Sequence, residues 1–246
     1  MSQQPLLQVA VRHVGDLAGA HAGGADRVLL EAGGDRVGLT PDTALAADVL
    51  AAAPLPVHIV LRLRDDDSTT GGELQRLVGL AQEWAAAGAA GFVFGFLTPS
   101  LDLDVPVLRL LAEQVGRPWT LSRAVDRVLH RDRAFAVARS LPAPEAILSG
   151  GAARGVPFGL DDLCDRAAAD PWLQQRLLAA GSVRPEDVPW LLRAGVRGVH
   201  VGTVVRPGGS AKAWVDADLV RSWRQLLDAT AARTRAGASH GTAAPG

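Results

Sequence analysis

The chain has one cysteine, Cys164, one lysine, Lys212, one methionine, Met1, and no tyrosine among 246 residues. A single thiol excludes a disulfide within the chain and fits a reducing compartment. The lone lysine lies in "GGSAKAWVD", outside any strand the pattern supports, which leaves no inward ammonium for Schiff-base chemistry. Charge of either sign is also not in excess: the net charge is −1, so nothing in it draws the chain to nucleic acid or to a membrane surface. No apolar run is long enough to span a bilayer. The start, "MSQQPLLQVAVRHVGD", has no basic stretch ahead of a long apolar core, and no signal peptide is expected. His13, His21, His58, His130, His200 and His240 stand singly, without the spacing of a zinc motif, so no metal site is predicted. Spacing assigns no serine–histidine–acid triad either. These absences predict a soluble cytoplasmic protein without nucleic-acid or membrane partners.

What is present is apolar and periodic. The chain has 246 residues, 48% of them hydrophobic, long enough for one large core or two small ones. Eight short runs read as strands: "LLQVAV", "DRVLLEA", "PVHIVLRLR", "GFVFGFL", "PWTLSRA", "EAILSG", "RLLAAGS" and "GVHVGT". Each is followed by an Ala/Leu-rich segment of helical character. Eight strand–helix units in about 250 residues predict a single-domain (β/α)8 barrel of the TIM type, with a doubly wound open sheet as the competing α/β arrangement. Local signals support the helices. Thr40-Pro41 offers a cap and a proline at the first helical position. In "GGELQRLVGLAQEWAAAGA", Leu74, Leu77, Val78, Ala81 and Trp84 share a face, and Gly88 closes the segment. Cys164 follows Leu160 and Leu163 on a helical face and reads as a core thiol. The expected boundaries are a flexible N-terminus over 1–5, the barrel over 6–230, and a disordered tail over 231–246, where "ARTRAGASHGTAAPG" has no apolar period.

Ligands of such barrels bind at the C-terminal strand ends. Alternation along a strand then sorts the side chains. His58, Val60, Arg62 and Arg64 fall on one face of strand 3, opposite Ile59, Leu61 and Leu63. Gln8, Ala10 and Arg12 share a face of strand 1, and Arg27, Leu29 and Glu31 share one of strand 2. Arg12, Arg62, Arg64 and Arg123 are therefore predicted at the mouth, together with the acids Glu31 and Asp126. Arginines there suit a phosphate or carboxylate, which they bind through paired hydrogen bonds; the alternative is that acids and arginines neutralise one another. Strands 6 to 8 end in small residues, at Ser149 and Gly150, at Gly181 and Ser182, and at Gly202. Such residues let backbone N–H groups approach an anion, and "GSVRPEDV" starts a helix at Pro185. The predicted partner is a small anionic molecule. If the protein is an enzyme, Glu31 or Asp126 is the candidate proton carrier.

These segments resemble the CutC family of copper homeostasis proteins. The likeness lies in "GGADRVLLEA", "VGLTPD", "PVHIVLRLR", "GFVFGFLTP", "SRAVD", "ILSGG", "AAGSVRPEDVPWLL" and "GVRGVHVGTVVRP", taken in this order. The resemblance implies a TIM barrel, an oligomer, often a dimer, and a role in copper homeostasis. Positions that match it are His58, Arg62, Arg64, Gly95, Thr98, Arg123, Asp126, Ser149, Gly150 and His200. Several depart from it. The family's usual acid and cysteine on strand 1 are Gln8 and Ala10 here, with Arg12 at a further usual acid. Its strand 2 glutamate and cysteine correspond to Leu29 and Glu31, and the histidine before the strand 5 arginine is Ser122. Copper(I) prefers thiolate and thioether ligands, and with the family's thiols absent, no cofactor is predicted and one chain is not expected to hold copper(I). Binding of an anion is the first expectation; an enzyme acting on a phosphorylated or carboxylated metabolite, and a catalytically silent scaffold, are the alternatives.

Overall fold

Each of the eight apolar runs contains a short parallel strand. They are β1 (Leu6–Val11), β2 (Arg27–Leu30), β3 (Val57–Val60), β4 (Gly91–Phe94), β5 (Trp119–Leu121), β6 (Ala146–Ser149), β7 (Leu177–Ala179) and β8 (Gly198–Val201). Every strand pairs with its successor, and β8 returns to β1 with Leu6 opposite Gly198 and Gln8 opposite His200. The sheet is therefore a closed barrel, which excludes the open doubly wound arrangement. The computed structural model describes residues 4–34 and 38–240, with side chains through 237.

Alternation divides the apolar residues into two sets. Leu29, Val60, Val93, Leu148, Leu178 and Ala180 pack together inside the barrel. Their sequence neighbours, including Val28, Ile59, Phe92, Ile147, Leu177 and Ala179, join the core between sheet and helices. Both faces of a parallel strand are thus covered, which is why the strands read as near-continuous apolar runs.

The helices are α1 (Asp16–Ala22), α2 (Thr43–Ala52), α3 (Gly71–Ala86), α4 (Val105–Gln114), α5 (Arg131–Ala138), α6 (Val156–Ala169), α7 (Pro171–Gln174), α8 (Val188–Arg193) and α9 (Ala217–His240). The face predicted for α3 buries Leu74, Leu77, Ala81 and Trp84, while Val78 is half-buried. Its start is a reciprocal cap: Thr70 Oγ1 accepts from the Glu73 N–H, and Glu73 Oε2 accepts from the Thr70 N–H. Gly88, at φ 102°, turns the chain out of it.

Three expectations are corrected. First, α2 starts at Thr43 rather than Pro41, because Asp42 is the residue whose side chain accepts from the Leu45 N–H. Thr40 instead ties the loop to β3, with its hydroxyl bonded to both the N–H and the carbonyl of Arg62. Second, 231–240 is not disordered. Helix α9 continues through it to His240, since Ala231 is buried and the alanine-rich segment has high helix propensity. Residues 1–3 of the expected flexible N-terminus and 241–246 of the expected tail lie outside the described residues. Third, Cys164 is half-buried at the edge of the core rather than enclosed by it. Burial and nearby aspartates push its thiol up to about 11, so it stays protonated.

Candidate functional site

A cavity of about 710 Å³ opens at the C-terminal end of the barrel. Arg12, Glu31, Arg62, Arg123, Gly181, Ser182 and Gly202 of the predicted site line it; Arg64, Asp126, Ser149 and Gly150 do not. Arginines from beyond β1, β3 and β5 therefore converge on one space.

Arg12 is set by the β1–α1 loop. Its N–H donates to Asp16 Oδ2 at 2.8 Å, and Asp16 is in turn gripped by Arg206. The Arg12 side chain meets Glu31 Oε1 through Nε at 2.8 Å and through Nη2 at 2.7 Å. Its Nη1 is buried with no hydrogen-bond partner among the described residues. Burial raises the pKa of Glu31 above its usual range, although the Arg12 charge opposes this.

Arg62 donates from Nε to the Arg64 carbonyl and from Nη2 to the Asp65 carbonyl, with Asp67 Oδ1 at 3.0 Å from Nε. Asp67 is buried, has φ 58°, and also meets Arg127 at 3.0 Å. Its left-handed backbone is one that aspartate tolerates better than most residues, and its two arginine partners hold it there. Arg123 donates from Nε to Asp126 at 2.9 Å and from Nη2 to the carbonyls of Ala152 and Ala153. Gly181 lets this guanidinium lie close: a Cβ there would be 2.6 Å from Arg123 Cζ. Each of the three arginines thus commits Nε and Nη2 to the protein, while no acceptor for Nη1 is found among the described residues.

Four predicted site residues serve otherwise. Arg64 is half-exposed and pairs with Asp66 and Glu73, because β3 ends at Val60 and strand alternation no longer orients the residues beyond it. Asp126 is buried behind the cavity wall, where its carboxylate accepts from Ser149 Oγ at 2.6 Å, the Gly150 N–H at 2.8 Å and Arg123. Burial raises its pKa against these three donors. Asp126 is therefore not placed to carry protons for a ligand, and the Gly150 N–H predicted to meet an anion is already taken by this internal one. The small residues after β7 and β8 remain at the cavity: Gly181 at φ 92°, Ser182 at φ 56°, and Gly202. The turn at Pro185 forms, but Asp187 accepts from the Arg184 N–H and occupies that helix start.

Sequence reasoning missed Arg206, Asp16, Asp67 and Arg127. Arg206 lies past β8 and Asp16 past β1, and no spacing joins residues 190 positions apart. It also left Gln8, Arg27 and His200 without roles. All three meet inside the barrel: Arg27 Nε donates to Gln8 Oε1, and Gln8 Nε2 lies 3.1 Å from His200 Nδ1, with His200 lining the cavity.

The donor set does not suit a soft metal. Among the described residues no group of three or more His, Cys, Asp or Glu side chains is arranged to hold an ion. The only thiol, on α6, is not part of the cavity lining. No helix of the described residues is long and apolar enough to cross a membrane.

The CutC family model matches residues 6–205, a span that holds all eight strands. A family protein CutC of Caulobacter vibrioides is 35% identical over 203 residues, covering 79% of this chain and 80% of its own length. One of Aliivibrio fischeri is 27% identical over 206 residues, covering 82% and 83%. Among solved structures, the CutC protein of Streptococcus agalactiae superposes with a TM-score of 0.69 at 18% identity, over 81% of this chain and 98% of that one. Thiamine phosphate pyrophosphorylase from Pyrococcus furiosus, at a TM-score of 0.57 and 14% identity over 93% and 98%, shares the fold. With the family match spanning most of the barrel, the chain belongs to the CutC family.

Proposed function

We propose that this CutC-family barrel binds a small carboxylated or phosphorylated molecule at its mouth. One observation carries the reading: Arg12, Arg62 and Arg123 reach one cavity from just past three separate strands, and none of their Nη1 atoms has an acceptor among the described residues. A guanidinium with a fixed, partly unsatisfied fork is suited to an oxyanion. Gly181, Ser182 and Gly202 line the same cavity, after β7 and β8, where barrels commonly bind phosphate. The acid partners do not cancel this. They hold the arginine forks in place through Nε and Nη2, and none of the described residues takes up Nη1.

The test is a thermal-shift and titration screen of phosphate- and carboxylate-bearing metabolites against wild type and Arg62→Ala. A hydrogen bond to a charged group contributes about 1.5–3 kcal/mol, so the variant is expected to bind roughly 10- to 150-fold more weakly. It should still fold, because Arg127 continues to pair with Asp67. Equal affinity in the two proteins would rule out the proposed site. Turnover of the bound molecule in the same screen would favour the enzyme reading, for which Glu31 is the one predicted proton carrier on the cavity wall. A silent scaffold would bind nothing in the screen.

The Streptococcus agalactiae relative is named for copper homeostasis. Copper(I) as cargo requires soft ligands, and the cavity of this chain offers arginines, carboxylates and one histidine instead. The expectation is that one chain takes up no copper(I) against a competing chelator of nanomolar affinity or better. One tightly held ion per chain in that titration would refute it.

A further inference from the structure

Gln8 lies between two groups whose hydrogen-bonding polarity constrains it. Arg27 can only donate, and its Nε is 2.5 Å from Gln8 Oε1. The amide oxygen must therefore face Arg27, since the opposite flip would set two donors against each other. The amide nitrogen then faces His200 Nδ1 at 3.1 Å. An NH₂ group can only donate, so Nδ1 accepts, and a neutral ring with an accepting Nδ1 carries its proton on Nε2. Arg27 is itself anchored by an ion pair with Glu145, the residue just before β6, and its Nη1 is 3.4 Å from His58 Nε2. Side chains thus connect Glu145, Arg27, Gln8 and His200 from the N-terminal end of the barrel to the cavity.

His200 lines that cavity, and no acceptor for its Nε2 is found among the described residues. Burial, and then the cations Arg27 on β2, Arg12 after β1 and Arg123 after β5, lower its pKa to about 4. Of the carboxylates that line the cavity, Glu31 is paired with Arg12, and Asp67 with Arg62 and Arg127. The ring is therefore neutral around neutral pH.

We infer that His200 is a ligand-binding residue, a neutral Nε2–H donor fixed toward an acceptor oxygen of the anion, and that Gln8 is the residue that positions its proton. The ligand part rests on the anion-binding reading above; the position of the proton does not. The oxygen that meets His200 must accept, as carboxylate and phosphate oxygens do, and this contact needs no imidazolium.

The experiment uses the full chain labelled with ¹⁵N-histidine, with His200 assigned by the signal lost in His200→Gln. At about pH 7 the ring is expected to be neutral and protonated at Nε2. In Gln8→Glu the carboxylate accepts from Nδ1–H, and the proton is expected to move to Nδ1. Gln8→Met, which adds no charge, is expected to show both forms. Inorganic phosphate and succinate are the ligand probes. Whichever binds wild type should shift His200 Nε2, bind Gln8→Met about threefold more weakly, and bind Gln8→Glu at least about tenfold more weakly. An Nδ1-protonated ring or an imidazolium in wild type would overturn the inference. So would a Gln8→Glu ring that stays protonated at Nε2, or a probe that binds without moving Nε2. If the proton sits as stated and neither probe binds, the anion reading is overturned and the role of Gln8 is supported.

Discussion

Arg206→Met is expected to lose about 3–5 kcal/mol of stability, because it strands a buried carboxylate whose partner has been removed. For a chain of this size the melting temperature should fall by roughly 6–20 °C. Arg206 and Asp16 have 0% side-chain exposure and meet through two bonds, Nη1 to Oδ1 at 3.0 Å and Nη2 to Oδ2 at 2.8 Å. The same guanidinium also donates to the carbonyls of Ala10 and Ala213, and Asp16 accepts from the N–H groups of Arg12, His13 and Val215. This cluster fastens the segment after β8 to the segment after β1, and so closes the barrel seam at its functional end. Because Asp16 holds the Arg12 backbone, anion affinity should fall along with stability. Burial alone would raise the Asp16 pKa; the Arg206 hydrogen bond and the backbone donors Arg12 and Val215 outweigh it and lower the pKa below the ordinary 3.8. An acid with a lowered folded pKa adds stability that is fully present above the ordinary value and is lost as pH falls through the folded one. Urea unfolding of Arg206→Met and of Asp16→Leu/Arg206→Met provides the check. The double variant should recover part of the loss, since no charge is left unpaired. A loss under about 1 kcal/mol in the single variant would show that the pair is not the seam's fastening.

The second large effect comes earlier in an acid titration. His58 is lowered to about 3 by burial and then by Arg27 and Arg197; His200 is lowered to about 4 by burial and then by Arg27, Arg12 and Arg123. In the unfolded chain both regain a value near 6.5. Below that pH the unfolded chain binds more protons than the folded one, so stability falls as pH falls. The slope is about 1.4 kcal/mol per pH unit for each histidine, at most about 2.7 where both respond, over the window from about 6.5 down to about 4. Denaturant unfolding at pH 7, 6 and 5 measures it, with His58→Gln/His200→Gln expected to flatten the slope. An equally steep slope in that double variant would trace the acid sensitivity to other groups. Gln8 works in the same direction as burial and the arginines, since a proton on Nδ1 would set two donors face to face.

The residues of β3 show how far a sequence pattern reaches. His58 and Val60 point into the barrel, as strict alternation requires, and Arg62 still arrives at the mouth because Thr40 fixes its backbone. Two residues later Arg64 is out among Asp66 and Glu73, since no ladder holds the chain there. The stretch "SRAVD" shows the same limit. Its arginine reaches the cavity as predicted, but its acid turns inward to Ser149 and Gly150, residues on the next strand whose approach no local spacing reveals.

The amino-acid sequence by itself determined the eight strand–helix units, the inward and outward faces of the strands, and the arginines that follow β1, β3 and β5. These are properties of short stretches, set by period and propensity, and they survive in any closed arrangement of the units. Only the tertiary structure decided which charges neutralise each other and which keep a free donor. The bonds that do so, Arg206 to Asp16, Asp126 to Gly150 and Arg27 through Gln8 to His200, join residues far apart in the chain, and closing the barrel brings them within hydrogen-bond distance.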